Sequence, residues 1–206
     1  MWWKQLKEKD VTVPLISASA GDCVEMGYYG MKILWTVLDK KEKSFLLVTK
    51  YAIDSLPYNK KKVKTTWETS SLRKWLNSYF FSVVFSKDEA KMILETEVLA
   101  DNNPEYSHPN FKNDPGNNTK DMLFVLSLSE VMNYFPKEKD RTCYPTPFAN
   151  KRASNREKLE KGIWWLRTPG DYYGSSAVVG RDGRFNNRGF DVNYDLGVRP
   201  AMWVKI

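Results

Sequence analysis

One histidine, two cysteines and 25 carboxylates are the side chains through which this 206-residue chain could do nucleophilic, acid–base or metal chemistry. His108 sits in the turn-prone run Tyr106-Ser107-His108-Pro109-Asn110, and nothing beside it completes a triad or a zinc site. Cys23 and Cys143 lack metal-ligand spacing and are too few for a disulfide framework, which fits a reducing compartment. Segment 101–121 is rich in hard oxygens, from Asp101, Asn102, Asn103, Asp114, Asn117, Asn118 and Asp121. It lacks the D-x-[DN]-x-[DN]-G run of a calcium loop and reads as exposed turns, so no metal is expected. There is no phosphate loop, dinucleotide fingerprint, H-E-x-x-H or G-x-S-x-G. An enzyme would have to work with carboxylates such as Glu68, Asp191 or Asp195, whose spacing pairs no two of them. The expectation is a protein that is not an enzyme and carries no cofactor.

Binding chemistry is denser, and it lies in the tail. Tyr172, Tyr173, Phe190 and Tyr194 offer rigid aromatic area. Asp171, Ser175, Asn186, Asn187, Asp191, Asn193 and Asp195 offer adaptable hydrogen bonds, and Arg181, Arg184 and Arg188 offer cationic anchors. That mixture is the one antibody paratopes use.

The same 26 positions, 171–196, contain no Lys, Glu, Gln, Met or Trp, although those types make up 51 of the 206 residues. Chance would place roughly six there, and an empty window of this size has odds on the order of one in a thousand, less surprising for a window picked by eye. Arginine behaves oppositely: five of its nine occurrences fall after Lys161, where lysine is missing until Lys205. Two readings stay open. A turn-rich β region favours Asn, Asp, Gly and Tyr over Lys and Glu. Alternatively, because the five missing types all have codons ending in a purine, codons were varied at their first two bases and left with a third-base pyrimidine.

These residues need a scaffold, and its elements are legible. Ile33-Leu34-Trp35-Thr36-Val37-Leu38 and Phe45-Leu46-Leu47-Val48 predict two antiparallel strands across the charged connector 39–43. From Ser70, Leu72, Trp75, Leu76, Tyr79 and Phe80 recur at helical spacing and predict an amphipathic helix with a core-facing aromatic stripe. Ser86-Lys87-Asp88-Glu89 and Ser127-Leu128-Ser129-Glu130 are capping boxes, the first opening a helix through Met92 and Ile93, the second one that Pro136 stops. Met122 to Leu126 reads as a strand, as do the segments around Trp164-Trp165 and Met202-Trp203, with Asp182-Gly183 a hairpin turn between them. Trp2, Trp3, Trp35, Trp67 and Trp75 read as core, and Arg167 and Arg199 as loop-holding donors to carbonyls or Asp. No repeat or linker divides 1–206, so one α+β domain is expected, with 1–20 as an N-terminal extension and 164–206 as the display region.

The net charge of +7 admits a nucleic-acid binder, but acids interleave with the lysines, and clusters such as Lys60-Lys61-Lys62 with Lys64 read as ordinary solvated faces. A hydrophobic content of 42% supports a real core, and no apolar run approaches the ~20 residues of a membrane helix. Met1-Trp2-Trp3-Lys4 leads into charged residues without an apolar signal-peptide centre, so a cytoplasmic or virion-borne protein is expected.

Trp164-Trp165-Leu166-Arg167-Thr168-Pro169-Gly170 and Gly197-Val198-Arg199-Pro200-Ala201-Met202-Trp203-Val204 resemble the W-W-L-R-S-P-G and G-V-R-P-A-L-W-I endings of a bacterial and phage domain family of unknown function. The resemblance runs upstream through Asn118-Thr119-Lys120-Asp121, the stretch from Trp67 to Asn77, Pro57-Tyr58-Asn59 and Ile33 to Asp39, as far as Gly21-Asp22. Thr168 for Ser and Met202 for Leu are its mild departures. The ending is also similar to the C-type-lectin-like fold of formylglycine-generating enzymes and of the variable proteins of diversity-generating retroelements. The fold implied is α+β, an antiparallel sheet with two or three helices and a loop-rich C-terminal half. The catalytic cysteine pair of the enzymes has no counterpart, since no cysteine follows Cys143. The variable proteins imply a receptor for a protein or glycan, encoded beside a reverse transcriptase. Its varied positions would include the fourteen tail residues named above together with Val178, Gly180 and Leu196. Trp164, Trp165, Arg167, Gly183, Gly189, Val192, Gly197, Arg199 and Trp203 would be the framework. The alternatives are an enzyme of unknown type on the same fold and a basic nucleic-acid-binding module.

Overall fold

The structure, a computed structural model, describes residues 10–106, 113–152 and 161–206. The readings of Trp2, Trp3 and His108 fall outside those residues.

The chain is α+β, built on two mostly antiparallel sheets that share one hydrophobic core. The first sheet starts as a meander of β1 (Cys23–Tyr28), β2 (Lys32–Lys41) and β3 (Ser44–Thr49). Lys41 faces Ser44, so the β2–β3 turn is Glu42-Lys43 alone, and most of the charged connector is strand. Alternation in β2 buries Trp35 and Val37, whereas Phe45 to Thr49 of β3 are all buried. β3 is covered on its far side because the last strand of the chain pairs with it, Met202 opposite Leu47.

The predicted helix begins where its cap says it should. Ser70 accepts a 3.0 Å bond from Arg73 N, and α1 (Ser71–Trp75) runs through a π-helical turn (Leu76–Phe80) into α2 (Phe81–Val84). Leu72, Leu76 and Phe80 are fully buried, each worth about 1.5–3 kcal/mol relative to exposure. The aromatic stripe is narrower than expected. The wide turn shifts the inward face by one residue, so Phe80 packs on Trp75 at 5.0 Å, Trp75 stays half-buried and Tyr79 is 57% exposed. Both capping boxes close as read, on α3 (Lys87–Met92) and α4 (Leu128–Tyr134). Two further short helices, α5 (Glu138–Arg141) and α6 (Pro147–Arg152), bring the number above the two or three expected.

β4 (Asp54–Leu56) enters the second sheet, whereas β5 (Ile93–Leu94) stays in the first. β6 (Thr96–Val98) and β7 (Thr119–Asp121) pair with each other, which takes residues 119–121 out of the expected loop. The predicted strand 122–126 shortens to β8 (Phe124–Val125). Beyond it the described residues divide about equally between strands and turns or loops, with α4, α5 and α6 among them. β9 (Trp164–Pro169) is buried along its whole length between β10 (Ser175–Val179) and β12 (Leu196–Val198), and β11 (Phe185–Asp191) forms the sheet edge beyond β10. Asp182-Gly183 is the expected hairpin turn. Gly183 has φ +85°, and a Cβ there would lie 1.9 Å from Glu138 O. Only glycine fits that turn.

Arg199 stands where the chain leaves β12 for β13 (Pro200–Lys205) and so changes sheets. It is buried between the Phe135 and Trp164 rings, at 5.0 and 4.9 Å, and its Nε donates to Thr49 O at 2.8 Å. Contacts at Ala18 and Asp10 tie the described part of the N-terminal stretch, 10–20, to the domain. Ala18 lies in the core, and Asp10 accepts from the Tyr51 hydroxyl while pairing with Lys50.

Candidate functional site

Segment 164–206 is anchored from below by buried tryptophan and arginine side chains. Trp164 and Trp165 are fully buried and donate their indole N–H groups to Arg141 O and Leu56 O, at 3.0 and 2.9 Å. Arg167 grips Glu130 with two bonds, Nη1 to Oε2 at 2.5 Å and Nη2 to Oε1 at 2.9 Å. The acid is thus a glutamate rather than the expected aspartate, and it is the residue that also closes the α4 capping box.

On this base the tail separates into two groups. The first gathers where β10 begins and β11 ends, with Ser175 opposite Asp191. Tyr173 and Tyr194 stand 47% and 49% exposed, each against a second ring: Tyr172 at 5.9 Å and Phe190 at 6.1 Å. The Tyr172 hydroxyl donates to Asp191 Oδ1, and Lys62 pairs with Asp191 Oδ2 at 2.6 Å. Arg188 pairs with Asp171 at 3.0 Å. The second group, Arg181 and Arg184, occupies the hairpin turn at the far end, about 13 Å away at ~3.3 Å per strand residue. Arg184 lies beside Glu138 at 3.5 Å and Asp182 at 3.8 Å. The fourteen expected residues therefore do not form one patch.

Several positions of the implied varied set face inward. Ser175 is 2% exposed, its hydroxyl donating to Tyr172 O at 2.9 Å, and Val178 is fully buried in the centre of the sheet; neither can meet a ligand. Asn186 Oδ1 accepts from Gly189 N and so closes the bend of β11. Asn187 is half-buried, its carbonyl held by Asn103 Nδ2 at 2.9 Å. Asn193 is exposed, whereas Asp195 is half-buried.

A partner that the sequence did not single out is segment 59–66. Asn59 N donates to Val192 O at 2.7 Å, Thr65 N donates to Tyr173 O at 2.9 Å, and Lys62 lies 5.8 Å from the Tyr172 ring centre. The lysine cluster is exposed, as read, and its backbone runs beside the aromatic group. Its signal was an exposed cationic run without helical period, which says nothing about where it docks.

The Lys62 hydrogen bond, followed by the Tyr172 hydroxyl, holds the Asp191 carboxyl below its ordinary value of 3.8, against a small opposing effect of burial. A carboxyl depressed in the folded state contributes stability above its unfolded pKa and loses it as pH falls through the folded one. Near-UV circular dichroism is therefore expected to report loosening of the Tyr172 environment below about pH 4. Asp191→Asn is expected to abolish that step. An unchanged acid titration in the variant would show that the contact does not hold the loop.

The other chemical groups turn inward. Asp54 is buried, taking bonds from Ser55 N at 2.7 Å and the Tyr29 hydroxyl at 3.0 Å and pairing with Arg152 at 3.2 Å. Burial pushes its carboxyl up, against the lowering effect of those three partners. A nearby cavity lined by Tyr29, Tyr51, Ile53 and Thr146 measures about 10 Å³, room for one water. Cys23 and Cys143 are free and buried, and burial pushes both thiols up, away from the thiolate a nucleophile needs. Glu68 accepts from Asn117 Nδ2 at 3.0 Å.

The oxygen-rich segment is a clamp. Asn103 is buried with Nδ2 donating to both Pro169 O and Asn187 O, and Asn113 Nδ2 reaches Gly170 O. Asp121 is filled by Trp67 Nε1, Thr119 Oγ1 and Arg73 Nε. Among the described residues no three His, Cys, Asp or Glu side chains gather as for a metal, and no helix is long and apolar enough to cross a membrane.

Fold and face together define a small α+β domain with a buried tryptophan–arginine framework and a half-exposed aromatic, polar and cationic edge. Residues 42–206 match the model of DUF6273, a domain of unknown function, and the chain belongs to that family. The match begins inside the β2–β3 turn, so the resembling motifs at Gly21-Asp22 and Ile33 to Asp39 lie outside it. No curated protein and no solved structure matched the chain.

Proposed function

We propose that this is a non-catalytic binding protein with a C-type-lectin-like fold, whose tail face, within 171–196, meets a protein or glycan ligand and is diversified by a retroelement. The carrying observation is that most of the exposed residues within 171–196 fall in the varied set that the resemblance implies, and most of the implied framework is buried. Trp164, Trp165, Arg167, Val192 and Arg199, assigned to the framework, are all buried, and Gly183 and Gly189 have φ of +85° and +77°, which other residues rarely adopt. Tyr173, Arg181, Arg184, Arg188, Asn193 and Tyr194, assigned to the varied set, are exposed. Ser175 and Val178 are buried and belong to the framework, the other varied positions are half-buried, and Gly197 and Trp203 of the framework are half-buried as well. Tyrosine rings seated against second rings lose little entropy on binding, and arginine and asparagine adapt around them.

The test is the DNA flanking the native gene. An imperfect repeat of the segment encoding residues 164–199, differing at its adenines and lying beside a reverse transcriptase gene, is the expected result. Without such a repeat the lysine-free tail is turn chemistry, and the diversification half of the proposal falls.

A further inference from the structure

We propose that segment 59–66 is the unvarying, cationic half of the same face, and that the face takes an acidic segment of a partner protein. This rests on the binding-face reading and adds the chemistry of the partner to it. Lys60, Lys61, Lys62 and Lys64 are all exposed, and Val63 between them is 49% exposed beside the tyrosine group. Main-chain bonds from Asn59 N and Thr65 N to the tail hold the strip at both ends, so its position does not depend on which side chains the tail carries. Two of the four charges are answered within the molecule, Lys62 by Asp191 at 2.6 Å and Lys64 by Asp114 at 3.1 Å. Among the described residues Lys60 and Lys61 have no ion pair, leaving two cations beside an aromatic and aliphatic surface.

The occupant follows from charge and shape. Carboxylates on a partner match point-like ammonium groups, and apolar side chains between them match Val63, Tyr173 and Tyr194. A polyphosphate fits less well, because it carries no apolar side chain to set against Val63, which is 49% exposed. The strip lies outside 171–196, so it supplies a constant attraction while the tail supplies discrimination. Asp191 joins the two halves. Whatever residue stands at that position decides whether Lys62 is spent within the molecule or presented to the ligand.

The probe is a fluorescein-labelled glutamate oligomer, followed by fluorescence anisotropy at low salt, with an oligodeoxythymidine of equal charge as comparator. Lys60→Glu/Lys61→Glu is expected to weaken glutamate-oligomer binding roughly tenfold or more, and Asp191→Asn to strengthen it by about threefold, both effects fading with salt. Lys87→Glu/Lys91→Glu on α3 makes the same change in net charge away from the tail and is expected to stay within about twofold of the parent. Equal loss in that control, or no binding by the parent protein, overturns the proposal. Tighter, loop-dependent binding of the oligodeoxythymidine overturns it in favour of a nucleic-acid face. A selected peptide ligand separates the two levels. Loss of its binding on changing Tyr173 and Tyr194, with no effect of Lys60→Glu/Lys61→Glu, sinks the loop and leaves the binding-face reading standing. Indifference to both sets of substitutions sinks both.

Discussion

Arg167→Ala is expected to cost about 3–5 kcal/mol of stability, lowering the melting temperature by roughly 6–20 °C for a chain of this size. The side chain is 3% exposed, and the fork leaves none of its three nitrogens idle. Nε donates to Leu99 O at 3.1 Å, Nη1 to Val125 O at 3.0 Å and to Glu130, and Nη2 to Glu130, with the guanidinium 5.8 Å from the Phe124 ring centre. Alanine removes all of these at once, taking the guanidinium donors from two carbonyls and leaving the Glu130 carboxylate with no counter-charge in the pair. Glu130 keeps its bond from Ser127 N, so α4 remains capped and the damage falls on the seating of β9. Arg167→Lys preserves charge but cannot reproduce the planar fork, and is expected to recover less than half of the loss. Urea unfolding of the two variants with Glu130→Gln, as a double-mutant cycle, measures the pair. A cost below about 1 kcal/mol for Arg167→Ala would mean that water replaces the guanidinium and that β9 is held by its neighbours alone.

The same residue shows where sequence reading succeeds and stops. The serines that open α3 and α4, with glutamate three residues later, signalled their helices because a capping box is chemistry within one turn. Asp182-Gly183 was visible for the same local reason, as were the β2 and β3 strands. That Glu130 would also receive Arg167 could not be read, since 37 residues separate them and a pairing in space leaves no period in the chain. Asn103 is a stronger case. Its type and neighbours mark a turn, yet it is buried and holds two tail carbonyls. The π-helical turn hid in an ordinary helical pattern, and the outward rotation of Tyr79 was its consequence. At the site, the tail was singled out by composition and much of it lies at the surface. Ser175 and Val178 escaped that reading because residue type says nothing about which face of β10 is covered, and both of its faces are. The lysines of segment 59–66 are exposed as read, but its seat beside the tail escaped because main-chain bonds leave no mark on residue type.

Tyr173→Ala with Tyr194→Ala is expected to weaken a tail-directed ligand by about 30- to 1,000-fold, the loss that one or two aromatic hot spots carry. The physical basis is that both rings are half out of the protein already and rest edge-on or tilted against Tyr172 and Phe190. A ligand can complete the burial of a ring whose orientation is already set, so the entropy of ordering is small. Truncation should cost the fold little, because the main-chain bonds Thr65 N to Tyr173 O and Tyr194 N to Asp191 O survive it. Exposure alone predicts something different. Tyr28 and Tyr79 are 61% and 57% exposed, more than either tail ring, and would be equally good contacts if an outward phenol were enough. The measurement is the affinity of peptides recovered from a displayed library panned on the folded protein, titrated against the tail pair and against Tyr28→Ala with Tyr79→Ala. Loss confined to the tail pair, at an unchanged urea midpoint, assigns recognition to the strand-anchored rings. Equal loss from both pairs would make the chain a generally adhesive surface, and indifference to the tail pair would move the binding face elsewhere on the molecule.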